Sequence, residues 1–288
     1  MRVAVTGISG FVGQALRSFF EQRGDSVVGL RIRANTALEE IIEQLEGCEA
    51  VINLSGANIL ARWSEAYKRT LYSSRIDTTH KLVEALRHCR HRPGLLLSAS
   101  AVGIYPSDME VNEFTGRYSE DFLGKLCQDW EAEANEAARL GMRVAVMRFG
   151  VIYGKGGGAM AKMLLPFKLC VGGKLGSGEQ MVSWIHITDL IRAMLYIIEH
   201  ETLKGVFNFT APYPVSNREQ TLLLAEAVHR PAFMKVPAFA IRLLFGEGAT
   251  VVLDSKEVYP KALQEAGFEF AYPTLDTALA DIVSARAR

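Results

Sequence analysis

Three glycines within the first thirteen residues constrain this chain more than any other feature. Arg2 to Thr6 carries β-branched Val3 and Val5, reads as a strand, and runs straight into Gly7, Gly10 and Gly13. From Phe11 onward, Phe11, Val12, Ala15, Leu16, Phe19 and Phe20 recur at helical spacing, and Gly24 supplies the stop. Strand, glycines and helix in that order form a dinucleotide-binding arrangement in which each glycine has its own task. Gly7 permits the tight turn, Gly10 lets backbone approach a phosphate, and Gly13 lets the helix pack close to the strand. The helix N-terminus then presents free N–H groups and a positive dipole end to a pyrophosphate. Ser9, Phe11 and Val12 complete the turn expected beside it.

The next residues repeat the grammar. Ser26 to Leu30, Ala50 to Leu54, Leu95 to Ala99 and Met142 to Phe149 read as strands. Between them lie a helix opened by a Thr36/Glu39 capping box and ended at Gly47, a long helical region over Ser64 to His88, and a helix from Phe122 to Leu140 stopped by Gly141. Strands apolar on both faces, alternating with helices, predict a parallel sheet covered on both sides. After Gly150 the pattern changes. Glycine-rich stretches at 154–158 and 172–178 bracket an apolar helix over Met160 to Leu169. Trp184 to Ile187 and Val206 to Phe209 read as strands around a helix from Asp189 to Glu199. Short elements punctuated by proline follow, one opened by a Ser216/Glu219 capping box. The expected fold is α/β: a Rossmann-type doubly wound parallel sheet with a smaller mixed α/β C-terminal domain. Residues 1–165 form the cofactor domain, with 180–210 returning to it, and 166–288 form the smaller domain.

Composition removes several function classes. Lys plus Arg and Asp plus Glu are 32 each, which argues against a nucleic-acid partner. A chain 49% hydrophobic and 22% charged has enough apolar residues for a large core and is not disordered. Its apolar runs are too short to cross a bilayer, so no membrane partner is expected. The four cysteines (Cys48, Cys89, Cys127, Cys170) are widely spaced with no CxxC, so neither a metal site nor a disulfide framework is expected, and a reducing cytoplasm fits. The basic run Arg87 to Arg92 reads as a solvated helix end, with a docking patch as the other reading. A small-molecule substrate and a monomer or homodimer are expected.

The glycine spacing is GxxGxxG, and TGxxGFxG resembles the extended branch of the short-chain dehydrogenase/reductase superfamily. Asn53-Leu54-Ser55-Gly56 resembles that superfamily's turn beside the adenosine. Arg148 to Gly154 resembles the segment closing over the nicotinamide side, and Trp184 to Leu190 resembles its F-I-H-V-x-D-L block. Arg62-Trp63, Ser74-Arg75, Met163 to Phe167, Arg242 to Glu247 and Glu265 to Phe268 narrow the likeness to the "epimerase family" subgroup, which carries a small C-terminal domain of unknown function. The resemblance implies cofactor contacts from Gly7, Ser9, Gly10, Phe11, Val12, Gly13, Asn53, Leu54, Ser55, Gly56, Ser98 and Arg148.

Cofactor type follows from charge. An acid after the second strand would bond the ribose 2′-hydroxyl of NAD and repel a 2′-phosphate. Here Leu30-Arg31-Ile32-Arg33 stands in that place, and no acid occurs between Asp25 and Glu39. Arginine suits a phosphate, so Arg31 points to NADP(H).

The superfamily's chemistry uses a serine plus a tyrosine followed four residues later by lysine. The lysine stabilises the phenolate, which lets the phenol exchange protons near neutral pH. None of the nine tyrosines has that lysine. Placing the helix by Trp130-Glu131 puts Leu123 and Cys127 at the two positions. Ser100 keeps the serine position. Tyr105 either substitutes as the acid or only lines the pocket, Cys127 is a further proton-donor candidate, and His186 reads as structural. Val182 stands where a sugar-nucleotide epimerase holds pyrophosphate with arginine; Arg75, Arg148 and Lys155 are the alternative cations. The expected function is an NADP(H)-dependent oxidoreductase on a small carbonyl or alcohol. A non-catalytic NADP(H) sensor or scaffold and a nucleotide-sugar epimerase/dehydratase are the alternatives.

Overall fold

The computed structural model describes residues 1–284. In chain order the elements are β1 (Arg2–Thr6), α1 (Phe11–Gln22), β2 (Ser26–Leu30), α2 (Leu38–Leu45), β3 (Ala50–Asn53), α3 (Glu65–Ser73), α4 (Ile76–His88), β4 (Leu95–Ala101) and β5 (Glu110–Val111). Next come α5 (Phe122–Asn135), β6 (Arg143–Phe149), β7 (Val151–Tyr153), α6 (Gly158–Lys168), β8 (Gly173–Leu175), β9 (Met181–Val182), β10 (Trp184–His186), α7 (Ile187–Glu199) and β11 (Gly205–Phe209). The remainder holds β12 (Val215–Ser216), α8 (Asn217–Ala227), β13 (Met234–Val236), α9 (Ala238–Phe245), α10 (Thr250–Leu253), β14 (Glu257–Val258), α11 (Lys261–Glu265) and α12 (Leu275–Ser284).

Six strands form one parallel sheet in the order β2-β1-β3-β4-β6-β11. The period-2 alternation of its strands sorts side chains to two apolar layers. Val3, Val5, Ile52, Leu97, Ala145, Met147, Phe207 and Phe209 pack with Leu16 and Phe20 of α1 and Leu190 and Met194 of α7. Ala4, Val51, Leu96, Val144 and Val146 pack with Ile41 and Leu45 of α2 and Leu82 and Leu86 of α4. The chain leaves β1 toward β2 and then returns to β3 on the other side. The crevice at the carboxyl ends of β1 and β3 is therefore the topological switch point where such sheets bind ligands.

Four local expectations change. Thr36 does not cap α2, which starts at Leu38. Its hydroxyl instead accepts from Arg33 N (2.9 Å) and donates to Arg31 O (3.2 Å), closing a turn. The helical region over Ser64 to His88 is two helices split at Ser74-Arg75, where Ser74 Oγ accepts from Ala57 N at 3.0 Å. Helix α5 stops at Asn135 and a 3₁₀ turn carries on to Leu140, where Gly141 at φ 80° ends it. Strand β10 pairs with β7 outside the central sheet. The Ser216 cap is present, accepting from Glu219 N at 3.1 Å.

The C-terminal elements are tied into the same body. Strand β14 pairs with β5, and Leu263 and Phe268 enter the core layer of α1 and α7. The carboxylate of Asp189, fully buried at the start of α7, accepts from Ala271 N and Tyr272 N, both at 2.8 Å.

Candidate cofactor and active site

At the switch point, Gly7 has φ 67°, and a Cβ there would lie 2.7 Å from Leu54 O. A Cβ on Gly13 would lie 2.5 Å from Gly7 O and 2.6 Å from Ile8 Cα. Both glycines are required by the protein's own packing. Gly10 is different: it is the N-cap of α1, no side chain caps it, and a Cβ would meet only Gly7 O at 3.2 Å. The helix start is therefore open, its first N–H groups lack side-chain partners, and the turn fits a pyrophosphate. Ser9 is exposed and Val12 half-buried on this turn. Phe11 turns its ring to the second glycine-rich stretch, where a Cβ on Gly154, Gly157 or Gly158 would press into it. Those glycines exist to let the β7–α6 loop lie on Phe11.

Thr6 joins β1 to the loop after β3. Its hydroxyl donates to Asn53 Oδ1 (2.7 Å) and accepts from Leu54 N (3.0 Å) and Ser55 N (3.2 Å). Asn53 Nδ2 donates to Thr79 Oγ1 (2.9 Å) and Ser98 Oγ (3.2 Å), and Trp130 Nε1 donates to the same Thr79 hydroxyl at 3.0 Å. Asn53 and Ser98 thus spend their side chains inside the protein and shape the Leu54–Gly56 loop from beneath. Arg31 is exposed just past the carboxyl end of β2, next to the glycine turn. Its loop is held by Lys81, which donates to Arg33 O (3.1 Å) and Ala34 O (3.0 Å).

The residues expected to carry chemistry meet in one buried network. Arg148 donates from Nε and Nη2 to the two oxygens of Glu131, each at 2.7 Å. Ser100 Oγ donates to the same carboxylate at 2.6 Å. Arg148 Nη1 also donates to Tyr105 OH at 2.8 Å, and that hydroxyl donates onward to Asn208 Oδ1 at 2.8 Å. The guanidinium lies over the rings of Tyr105 and Tyr118, 5.0 and 5.2 Å from their centroids. Ser100 and Arg148 face α5 because residues 98 and 100 alternate with Leu97, and 148 with Met147, across the sheet.

Tyr105 lies inside this network. It is fully buried, its hydroxyl both accepts and donates, and burial pushes its pKa up to about 12. Cys127 is no better placed: burial pushes its thiol up to about 12. Ser100 is 2% exposed with its proton committed to Glu131. Glu131 itself was not foreseen. The available signal was a carboxylate one turn after Cys127 and adjacent to Trp130, on the buried face of α5. Leu123, at the expected tyrosine position, sits half-buried in an apolar cluster with Trp63, Phe122, Phe149 and Val251.

The other cations and the histidine also find internal tasks. Lys155 pairs with Asp281 at 3.2 Å. His186 caps α7, its Nδ1 accepting from Thr188 N at 3.3 Å, and its ring packs against that of Tyr272 at a 44° tilt, centroids 4.1 Å apart. Val182 pairs with Val215 in the β9–β12 ladder.

Residues 3–209 match the model of the NAD dependent epimerase/dehydratase family. The chain belongs to that family. Residues 236–282 match a second model, a domain of unknown function. An epimerase family protein of Staphylococcus saprophyticus is 44% identical over 243 residues, covering 83% of this chain and 81% of the relative. One from Staphylococcus epidermidis is 38% identical over 298 residues and covers 99% of each chain. Among solved structures, a human epimerase family protein crystallised with NADPH superposes with a TM-score of 0.91 at 34% identity, covering 99% of this chain and all of that one. A nucleoside-diphosphate sugar epimerase from Corynebacterium glutamicum gives 0.80 at 28% identity, covering 98% of this chain and 58% of that one. Within this family of extended short-chain dehydrogenases, this member has the cofactor turn and the sheet but has built its serine into a buried ion-pair network.

Proposed function

We propose that this protein binds NADP(H) and acts as a cofactor-dependent binding protein, a sensor or scaffold, rather than as a carbonyl reductase of the Ser-Tyr-Lys kind. Binding is supported by the uncapped helix start at Gly10, the exposed Arg31 where an NAD enzyme would carry an acid, and the likeness to a human protein solved with NADPH. When bound, the cofactor would supply hydride chemistry. The protein's part would be Gly7 to Gly13 holding the pyrophosphate and Arg31 the 2′-phosphate.

One observation carries the choice against turnover: the Ser100 and Tyr105 hydroxyls are both consumed by the buried Arg148–Glu131 pair. A proton donor must reach the reacting atom, and here both hydroxyls are turned into the network instead. The same observation weighs against a sugar epimerase, which needs a base at the sugar hydroxyl.

Nicotinamide fluorescence titration should show tighter binding of NADPH than NADH, with most of the difference lost in Arg31→Ala. Steady-state assays over carbonyl compounds and sugar nucleotides should show no NADPH consumption or epimer formation above buffer. Equal affinity for both cofactors would remove the NADP assignment. Turnover that falls about 10²-fold or more in Ser100→Ala would reinstate the oxidoreductase.

A further inference from the structure

The balanced charge of the chain is not evenly spread. Residues 159–178 and 229–246 together hold six lysines and arginines and no aspartate or glutamate, although the two signs number 32 each overall. The same two segments carry eight of the thirteen exposed large apolar side chains among the described residues. Parallel pairing of β8 with β13 brings the segments side by side. Phe233, 71% exposed, stands just before β13, and Phe239 and Leu243, at 72% and 74%, lie one turn apart on α9 just after it. Apolar residues scattered singly over a surface need no account, but a concentration of this kind marks a face that another molecule covers.

A groove runs beside this face. Between α8 and the β8–β13 ladder lies a cavity of about 240 Å³, lined by Leu222, Phe233 and Met234 with Lys174, Arg218 and Lys235, and no carboxylate lines it. Lys174 and Lys235 are register partners and share one face of the ladder. Like charges facing each other across a ladder repel, and an anionic partner offsets that cost. Lys174 Nζ donates to Ser177 O at 2.8 Å, a neutral carbonyl, and Arg218 pairs with the exposed Glu179. Among the described residues no carboxylate lies within ion-pair distance of Lys174 or Lys235.

These features fit an amphipathic helix with acidic flanks. Its apolar side chains would fill the groove and cover Phe239 and Leu243, while its carboxylates would meet Lys174 and Lys235. A flat bilayer would leave the groove unfilled. Helix α6 joins this face to the cofactor turn: it starts at Gly158, in the loop that lies on Phe11, and ends at Lys168, just before the exposed Leu169 and Val171. We infer that the groove and face formed by α8, β13 and α9 dock an acidic amphipathic helix of a partner protein. The inference names the partner class for the sensor or scaffold reading and rests on that reading.

The test is fluorescence anisotropy with a labelled helical peptide of about 18 residues, carrying leucine at helical spacing and glutamate between. The full chain should bind it saturably, and should bind the same peptide with lysine for glutamate at least about tenfold more weakly. Lys235→Glu, and Lys174→Glu with Lys235→Glu, should each weaken the glutamate peptide by about tenfold or more. Lys235 is exposed, so its single variant should keep the wild-type thermal midpoint and NADPH affinity and covers the case in which the double variant fails to fold. Phe239→Ser with Leu243→Ser should weaken both peptides. Equal binding of the two peptides, or unchanged binding in the variants, overturns the inference. So does sedimentation of the protein with vesicles of equal parts phosphatidylcholine and phosphatidylglycerol when the glutamate peptide does not bind, or a concentration-dependent dimer that the same variants break. NADPH binding and turnover are measured on the same samples without peptide; absent binding or clear turnover counts against the sensor or scaffold reading instead.

Discussion

At the scale of single residues, the decisive feature is the buried pair of Arg148 and Glu131, whose side chains are 1% and 10% exposed. Two charges out of water are tolerable only when paired and fully hydrogen-bonded, and here Ser100, Tyr105 and the bidentate contact supply those bonds. Removing one partner leaves the other charged in the interior. Arg148→Met should therefore cost about 3–5 kcal/mol of stability in urea unfolding, whereas Ser100→Ala should cost about 1–3 kcal/mol. A loss below 1 kcal/mol in Arg148→Met would show that the pair is not sealed. Tyr105 adds a pH signature. Its pKa is raised from 10.0 to about 12 by burial, which outweighs the pull of Arg148. The folded state holds that proton more tightly than the unfolded chain does. Its contribution is whole below pH 10 and is lost as pH rises toward 12, so the stability gap between wild type and Tyr105→Phe should narrow across that window.

At the scale of elements, the two glycine-rich stretches share one purpose. The first makes the turn into α1, and Gly154 to Gly158 lets a second loop close on Phe11, the first residue of that helix. Adding a methyl group at Gly157 forces it against the Phe11 ring. Gly157→Ala should destabilise by about 1–3 kcal/mol, the usual cost of overpacking. Because the clash is with one ring, Phe11→Leu should relieve it, and a double-mutant cycle should return a coupling of about 0.5 kcal/mol or more. Additive effects would mean that the glycines serve the loop's own backbone instead. The glycine pattern was visible in the chain, but its target was not, because Phe11 and Gly157 lie far apart in sequence. The same holds for the helix break at Ser74-Arg75. Nothing in the local periodicity of 64–88 announces it, since Ser74 is recruited by Ala57 N and Arg75 by Ala57 O.

At the scale of the whole molecule, the last third of the chain completes the first. Asn208 Nδ2 donates to Tyr259 O (3.0 Å), Ser183 Oγ to Lys256 O (2.7 Å), and Lys256 Nζ to Tyr105 O (2.6 Å). With Leu263 and Phe268 in the α1/α7 core layer and Asp189 satisfied by the 271–272 backbone, these bonds cross from the C-terminal elements into the sheet. Deleting residues 236–288 should therefore give a fragment with no cooperative thermal transition, followed by far-UV circular dichroism. A sharply melting 1–235 fragment that binds NADPH would refute this. Among the described residues no helix is long and apolar enough to cross a membrane.

Local rules were enough for the parallel sheet, the glycine turn into α1 and the absence of the Tyr-Lys pair. Strand apolarity, glycine spacing and helical periodicity act over a few residues and are written in the chain. Tertiary structure alone decided what Ser100, Tyr105, Asn53 and Ser98 do with their polar atoms. Asn53 and Ser100 lie at strand ends, Ser98 at the middle of β4 and Tyr105 in the turn beyond it, and each had two possible audiences, a ligand or the interior. Their side chains bond inward because Arg148, Glu131, Thr79 and Asn208, from four other elements, converge on them, and a buried polar group is bonded to whatever the fold brings within reach.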